Sequence, residues 1–199
     1  MTGKTHISIG LAASATFLSI SNTTPEVIAA GLALGTIGAL MPDIDIEQSK
    51  ISYLGRKLLI DAILLFVVGS FVMFKLNIPL DKFRFNYSIS TTVIYGLTEI
   101  AGCIVFSKFT KHRSFAHSIL GLILFSIGFY LLLGNMALYF AIGFISHMAA
   151  DTLTNSGIEI LYPLHKKIAL RLIHTGSFAD YVLGILAFVY FIFTMLKLF

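Results

Sequence analysis

Tryptophan is absent, cysteine occurs once, and Asp, Glu, Lys and Arg together make up only 12% of the 199 residues. Each shortage excludes something. A single cysteine, Cys103, allows no internal disulfide. Soluble domains carry roughly 25% charged residues, so this chain has too few to cover itself with a solvated surface. The basic residues stand apart between apolar runs and form no stripe, which argues against a nucleic-acid-binding face. Internal repeats, low-complexity tracts and soluble linkers are also missing, so residues 1–199 read as one domain. Without Trp, any aromatic belt at a membrane interface has to come from Tyr and Phe.

What the chain has instead is apolar length. Hydrophobic residues account for 57% of positions, and the mean hydropathy is +0.89. The expected fold class is all-α, a polytopic transmembrane helical bundle of six to seven spans. Helices of about 17–25 residues are needed to cross a bilayer core, and apolar runs of suitable length fall near 6–21, 25–41, 57–76, 89–107, 116–133, 136–153 and 179–198. The first run follows Lys4 and could be taken for a signal peptide. The polar residues Ser21 to Thr24 and then Pro25 lead straight into another apolar run, so it reads as a retained span. Residues 81–87 form a short polar link, and 155–178 a longer amphipathic stretch expected to contain an interfacial helix after Pro163.

Seven spans place the N-terminus and the loops 42–56, 108–115 and 154–178 on one face. That face holds Lys4, Lys50, Arg56, Lys57, Lys108, Lys111, Arg113, Lys166, Lys167 and Arg171, against Lys75, Lys82, Arg84 and Lys197 opposite. Such a bias predicts that the first face, with the N-terminus, is cytoplasmic.

All six histidines fall on that same face: His6, His112, His117, His147, His165 and His174. Asp43, Asp45, Asp151 and Asp180 join them at the same depth. Ionisable groups near a span are costly and default to functional candidates. His147 and Asp151 are spaced i, i+4 and share a helix face, where they can present two ligands to one ion or simply pair with each other. Asp43 and Asp45 follow Pro42, where the second span has to stop. His112 and His117 lie about 140° apart if both are helical, so they converge only if His112 sits in the turn before the fifth span, with Ser114 as a plausible N-cap. Arg113 at this mouth could hold a phosphate or serve as a snorkelling anchor. His165 and His174, among Lys166, Lys167 and Arg171, read as headgroup or solvent contacts. Glu99, deep in the fourth span, reads as a protonated interhelical hydrogen-bonding group, and Asp61 as an outer neighbour of the cluster.

Mixed His and Asp ligands suit Zn, Mn or Fe better than Ca or Mg. The expected metal set is His6, Asp43, Asp45, His112, His117, His147, Asp151 and Asp180, more than one ion needs. Two ions about 3.5–4 Å apart would use them, an arrangement suited to phosphoester displacement. Arg113 and Asp45 are the expected catalytic residues.

The segments GKTHISIG, MPDID, HRSFAHS, SHMAADTLTNSGIEILYP and TGSFAD occur in that order. The ordered set resembles a family of predicted membrane-bound metal-dependent hydrolases that includes a LexA-regulated bacterial inner-membrane protein. The resemblance covers nearly the whole chain. It implies a metal-dependent hydrolase with His6, Asp43, Asp45, His112, His117, His147 and Asp151 at the motif positions. Three positions depart from the pattern: Ile46 stands where many relatives have His, Ala116 replaces a usual Thr, and Asp180 replaces a usual Glu.

The expected function is therefore hydrolysis of a lipid phosphoester or ester at the cytoplasmic interface, with a membrane lipid as substrate. A metal-ion transporter or metal-sensing membrane protein is the alternative. Transporters place their ligands near the bilayer midplane, a depth that only Glu99 reaches here. A structural or recruiting role would leave the segregation of the histidines unexplained.

Overall fold

The computed structural model describes residues 1–21, 24–45 and 90–198. The expected span at 57–76, Asp61, the polar link at 81–87 and the Asp45 side chain lie outside the described residues. In chain order the helices are α1 (Gly3–Ser19), α2 (Pro25–Leu40), α3 (Thr91–Phe109), α4 (Ile119–Leu133), α5 (Ala137–Thr152) and α6 (Phe178–Leu198). Short 3-10 turns at Met41–Asp45, Phe115–His117 and Gly134–Met136 extend or join them. Among the described residues there is no strand, only two isolated bridge pairs, Thr154 with Ile173 and Ile158 with Ile168.

Among the described residues, four stretches are long and apolar enough to cross a bilayer: Pro25–Ile44, Thr91–Phe109, Ile119–Thr152 and Phe178–Leu198. The third, of 34 residues, is no single rod. Gly134 takes a left-handed φ of 58°, a conformation open to glycine at little cost, and the chain doubles back there. Phe129 stacks on Phe140 with centroids 3.9 Å apart, and Phe125 meets Phe144 at 6.0 Å. In a continuous helix those partners would be separated by 1.5 Å for every intervening residue. α4 and α5 are thus antiparallel arms of a hairpin, as their separate apolar runs predict.

α2 packs most extensively on α5, and α1 on α6 and α2. Glycine sets the closeness of the α2–α5 contact: a Cβ on Gly38 would collide with the Phe140 carbonyl, and one on Gly143 with the Gly35 carbonyl. Small residues let helix backbones approach where lipid offers no hydrophobic drive for association. Outward, α6 exposes Ile185, Leu186, Val189 and Phe193, an apolar face that suits hydrocarbon and would be a liability in water.

Two local expectations change. The amphipathic stretch after Pro163 forms no helix; its backbone instead bonds back to the α5 terminus, with Leu170 N donating to Thr152 O (2.7 Å) and Leu172 N to Leu153 O (2.9 Å). The N-cap of α4 is Ser118, whose hydroxyl accepts from Gly121 N at 3.0 Å. Ser114 lies a turn earlier and donates to Glu159 Oε2 at 2.8 Å.

Candidate functional site

The start of α1, the end of α2, the start of α4, the end of α5 and the start of α6 meet at one end of the bundle. The chain alternates direction, so residues far apart in sequence share that end. Asp43 arrives on the 3-10 turn that continues α2, and His117 on the 3-10 turn just before α4. His147 and Asp151 point from one face of α5, and His6 from the second turn of α1. His6, His117, His147 and Asp151 are all essentially inaccessible.

Asp151 is the hub. Its Oδ1 lies 2.6 Å from the Met1 amine and 3.3 Å from His6 Nε2. Its Oδ2 lies 3.4 Å from Arg113 Nη2 and 3.7 Å from Nε2 of both His117 and His147. Asp43 Oδ1 approaches the same two nitrogens, at 3.6 Å from His117 and 3.8 Å from His147. The His6 and His147 rings stack 3.7 Å apart.

Tautomers follow from partners. His147 Nδ1 sits 2.7 Å from the Ala39 carbonyl, which can only accept, so this nitrogen carries the proton. In the neutral ring Nε2 then presents a bare lone pair, the form that binds metals, with the carbonyl fixing the ring's orientation. That lone pair faces His117 Nε2 at 3.2 Å. Both nitrogens of His6, His117 Nδ1 and Asp151 Oδ2 are buried without a hydrogen bond. His6 Nε2 and Asp151 Oδ2 keep only the ion-pair contacts above; buried groups without a hydrogen bond are uncommon in native interiors and call for an explanation such as an ion.

Among the described residues, two sets of side chains could each hold an ion: His6, His147 and Asp151, and Asp43, His112 and His117. Within each set the donor atoms lie within 4.8 Å of one another, and the sets touch through the His117–His147 pair. His112 reaches its set because it lies in the turn before α4, its ring 5.2 Å from that of His117. Of the eight expected ligands, six belong to these sets. Asp45 cannot be placed beyond its backbone in the Met41–Asp45 turn. Asp180 lies outside both: its Oδ2 accepts from Thr2 N (3.0 Å) and Gly176 N (2.8 Å), tying α6 to the start of α1.

Arg113 is buttressed rather than free. Besides Asp151, its Nη1 donates to Thr154 Oγ1 (3.0 Å) and to the Gly157 carbonyl (3.3 Å). Its φ of 67° is an uncommon conformation for a residue with a side chain. Glu159, which no sequence spacing singles out, locks this turn. Its backbone N donates to Arg113 O at 2.9 Å, and its Oε2 takes the Ser114 hydroxyl and lies 3.0 Å from His165 Nδ1. The His165 contact first, and then Ser114, holds the Glu159 carboxyl below its ordinary range. His174 sits exposed beside its own Thr175 carbonyl. Glu99 belongs to neither set; the Cys103 thiol, on the same helix, donates to it at 4.0 Å.

These features define a class: a helical membrane protein with buried His and Asp groups gathered at one end of its bundle. The chain belongs to the YdjM inner membrane protein family, whose model matches residues 1–198. It is similar to the uncharacterized protein YvsG of Bacillus subtilis (strain 168), 31% identical over 183 residues that cover 90% of this chain and 85% of that protein. No solved structure matches.

Proposed function

We propose that this protein is a membrane-embedded, metal-dependent hydrolase acting on a lipid phosphoester or ester at the cytoplasmic face of the bacterial inner membrane. The observation that carries the reading is the junction of the two ligand sets at His117 and His147, whose Nε2 atoms face each other at 3.2 Å beneath two carboxylates. The orphaned nitrogens and oxygen there, and the N/O character of the donors, fit divalent Zn, Mn or Fe. A pair of such ions would polarise an ester oxygen and make water nucleophilic at neutral pH.

The chain's own residues would act as follows. His6, His147 and Asp151 hold one ion, and Asp43, His112 and His117 the other. Ala39 keeps His147 in the binding tautomer, and Arg113 holds Asp151 in place while adding positive charge near the reacting group. The helix ends bring this cluster to headgroup depth between apolar surfaces, where a lipid's phosphate or ester lies. Orientation draws support from Lys4, Lys108, Lys111, Arg113, Lys166, Lys167 and Arg171 at the site end, against Lys197 opposite, among the described residues.

The test is a panel of lipid phosphoesters and esters in detergent micelles, with metal added and chelated. Metal-dependent turnover is expected. Arg113→Lys keeps the charge but loses the planar fork that now bridges three acceptors. Its turnover should fall about tenfold or more, equivalent to about 1.4 kcal/mol, with metal content near wild type. Asp43→Asn should lose metal and turnover together. No metal-dependent hydrolysis across the panel would contradict the proposal.

A further inference from the structure

The segment joining α5 to α6 carries a surface that the hydrolase reading does not use. Between Ile160 and Phe178 there are three Lys or Arg residues and two His but no Asp or Glu. Lys166, Lys167 and Arg171 are all exposed. Large apolar side chains are exposed beside them: Leu164 is 65% accessible, Leu170 59%, Leu172 70% and Phe178 85%. Aqueous loops favour small polar residues, and a run of exposed leucines between cations is out of place in water.

The strap is held firmly while exposing these groups. Ile158 and Ile168 exchange backbone hydrogen bonds at 2.9 and 3.1 Å, and Asn155 N donates to Ile173 O at 3.2 Å. Arg171 sits at φ 56°, a left-handed conformation that costs a side-chain-bearing residue about 1–2 kcal/mol. That conformation lets Leu170, Arg171 and Leu172 stand exposed in succession, unlike the alternation of a strand. Strain that persists on a surface points to a use for the displayed groups. The strap also lies at the level where bilayer headgroups begin, since it leaves α5 at Thr152 and enters α6 at Phe178, with Tyr181 exposed on the first turn of α6.

We propose that residues 160–178 form a docking strap for anionic phospholipid headgroups of the surrounding bilayer. Lys166, Lys167 and Arg171 engage the phosphates, and Leu164, Leu170 and Leu172 enter the boundary with the acyl chains. Charge complementarity selects this occupant: the strap bears only positive charge outward, and the cytoplasmic leaflet is negative. A polar protein partner would leave the leucines unused, and a second copy would set cation against cation. The proposal is independent of any hydrolysis and rests on the cytoplasmic orientation proposed above.

The test uses the full chain reconstituted in vesicles of equal phosphatidylglycerol and phosphatidylcholine. The ratio of the two lipids retained after detergent extraction is compared between wild type and Lys166→Gln/Lys167→Gln/Arg171→Gln. Wild type should be enriched in phosphatidylglycerol. Enrichment should fall toward equal retention of the two lipids in the triple variant, and wild-type enrichment should fall in high salt. In parallel, a fluorophore on Leu164→Cys, in a chain carrying Cys103→Ser, should be quenched by lipid-borne quenchers near the carbonyl level and spared by a water-soluble one. Equal enrichment in wild type and triple variant would overturn the proposal. So would a Leu164 probe reached only from water, or one shielded from both quenchers and crosslinking between copies.

Discussion

Asp151 collects an amine, three imidazoles and a guanidinium within 3.7 Å, so its loss should cost more than one ligand. Removing one partner from a buried charged network leaves the others uncompensated, typically at 3–5 kcal/mol, about what breaking a buried pair costs. Asp151→Ala should therefore lower thermal stability in detergent as well as metal content. Metal supplied to wild type should raise its melting temperature, and metal supplied to Asp151→Ala should raise it less. Glu159 makes a different kind of prediction. Its folded-state pKa is depressed from 4.5, so its contribution to stability is present above that value and is lost as pH falls through the lower folded pKa. Melting temperature should fall on acidification below about pH 4.5, and Glu159→Gln should flatten that part of the profile. An unchanged acid limb in Glu159→Gln would show that the lock on the Arg113 turn does not operate through this carboxylate. The i, i+4 spacing made the His147–Asp151 pair legible in the sequence. The role of Glu159 was not legible, because its link to Ser114 spans 45 residues and depends on a chain reversal that no periodicity encodes.

At the scale of elements, the glycine contacts between α2 and α5 set the distance over which Ala39 reaches His147. Gly38→Val would drive a side chain into the Phe140 carbonyl. The cost should be about 1–3 kcal/mol, in the range of overpacked cores, and metal affinity should drop with it because the His147 ring loses its anchor. Gly102 is the control. A Cβ there meets nothing within 4 Å, and Gly102→Ala in mid-helix should be neutral or stabilising by up to about 1 kcal/mol. Thermal melts and metal titration of the two variants separate packing from helix propensity. The helices themselves were legible as apolar runs, α4 and α5 included, because hydrophobic length is the dominant signal in such a chain. Their ends were less so. Ser114 and Ser118 both precede apolar residues, and only the 3-10 turn between them decides that Ser118 caps α4. That turn also takes His112 off the helix surface and lets it converge with His117. The strap after Pro163 looked amphipathic enough for a helix, but its backbone groups find partners on the α5 terminus instead.

Over the whole molecule, the up-and-down course of the chain delivers α1, α2, α4, α5 and α6 to a common end. The segregation of the histidines therefore pointed to the end where His6, His112, His117 and His147 gather, without giving a single distance and without separating off His165 and His174. Of the seven expected ligands whose side chains are described, six fall into the two sets and Asp180 ties α6 to α1. If the site end is cytoplasmic, reporter fusions after Thr110 and after Asn135 should report cytoplasmic and external locations respectively; the reverse pattern would invert the orientation while leaving the cluster intact. The central claim, that the gathered His and Asp residues hold metal, is tested most directly by the metal stoichiometry of purified protein. Wild type, His147→Ala, Asp151→Ala and His165→Ala, each purified in detergent, would be compared by elemental mass spectrometry. Wild type and His165→Ala should carry bound transition metal, and the other two should lose at least about half of it, since each removes a ligand from one set. Equal stoichiometry in all four proteins, or none in wild type after metal is supplied, would contradict the claim.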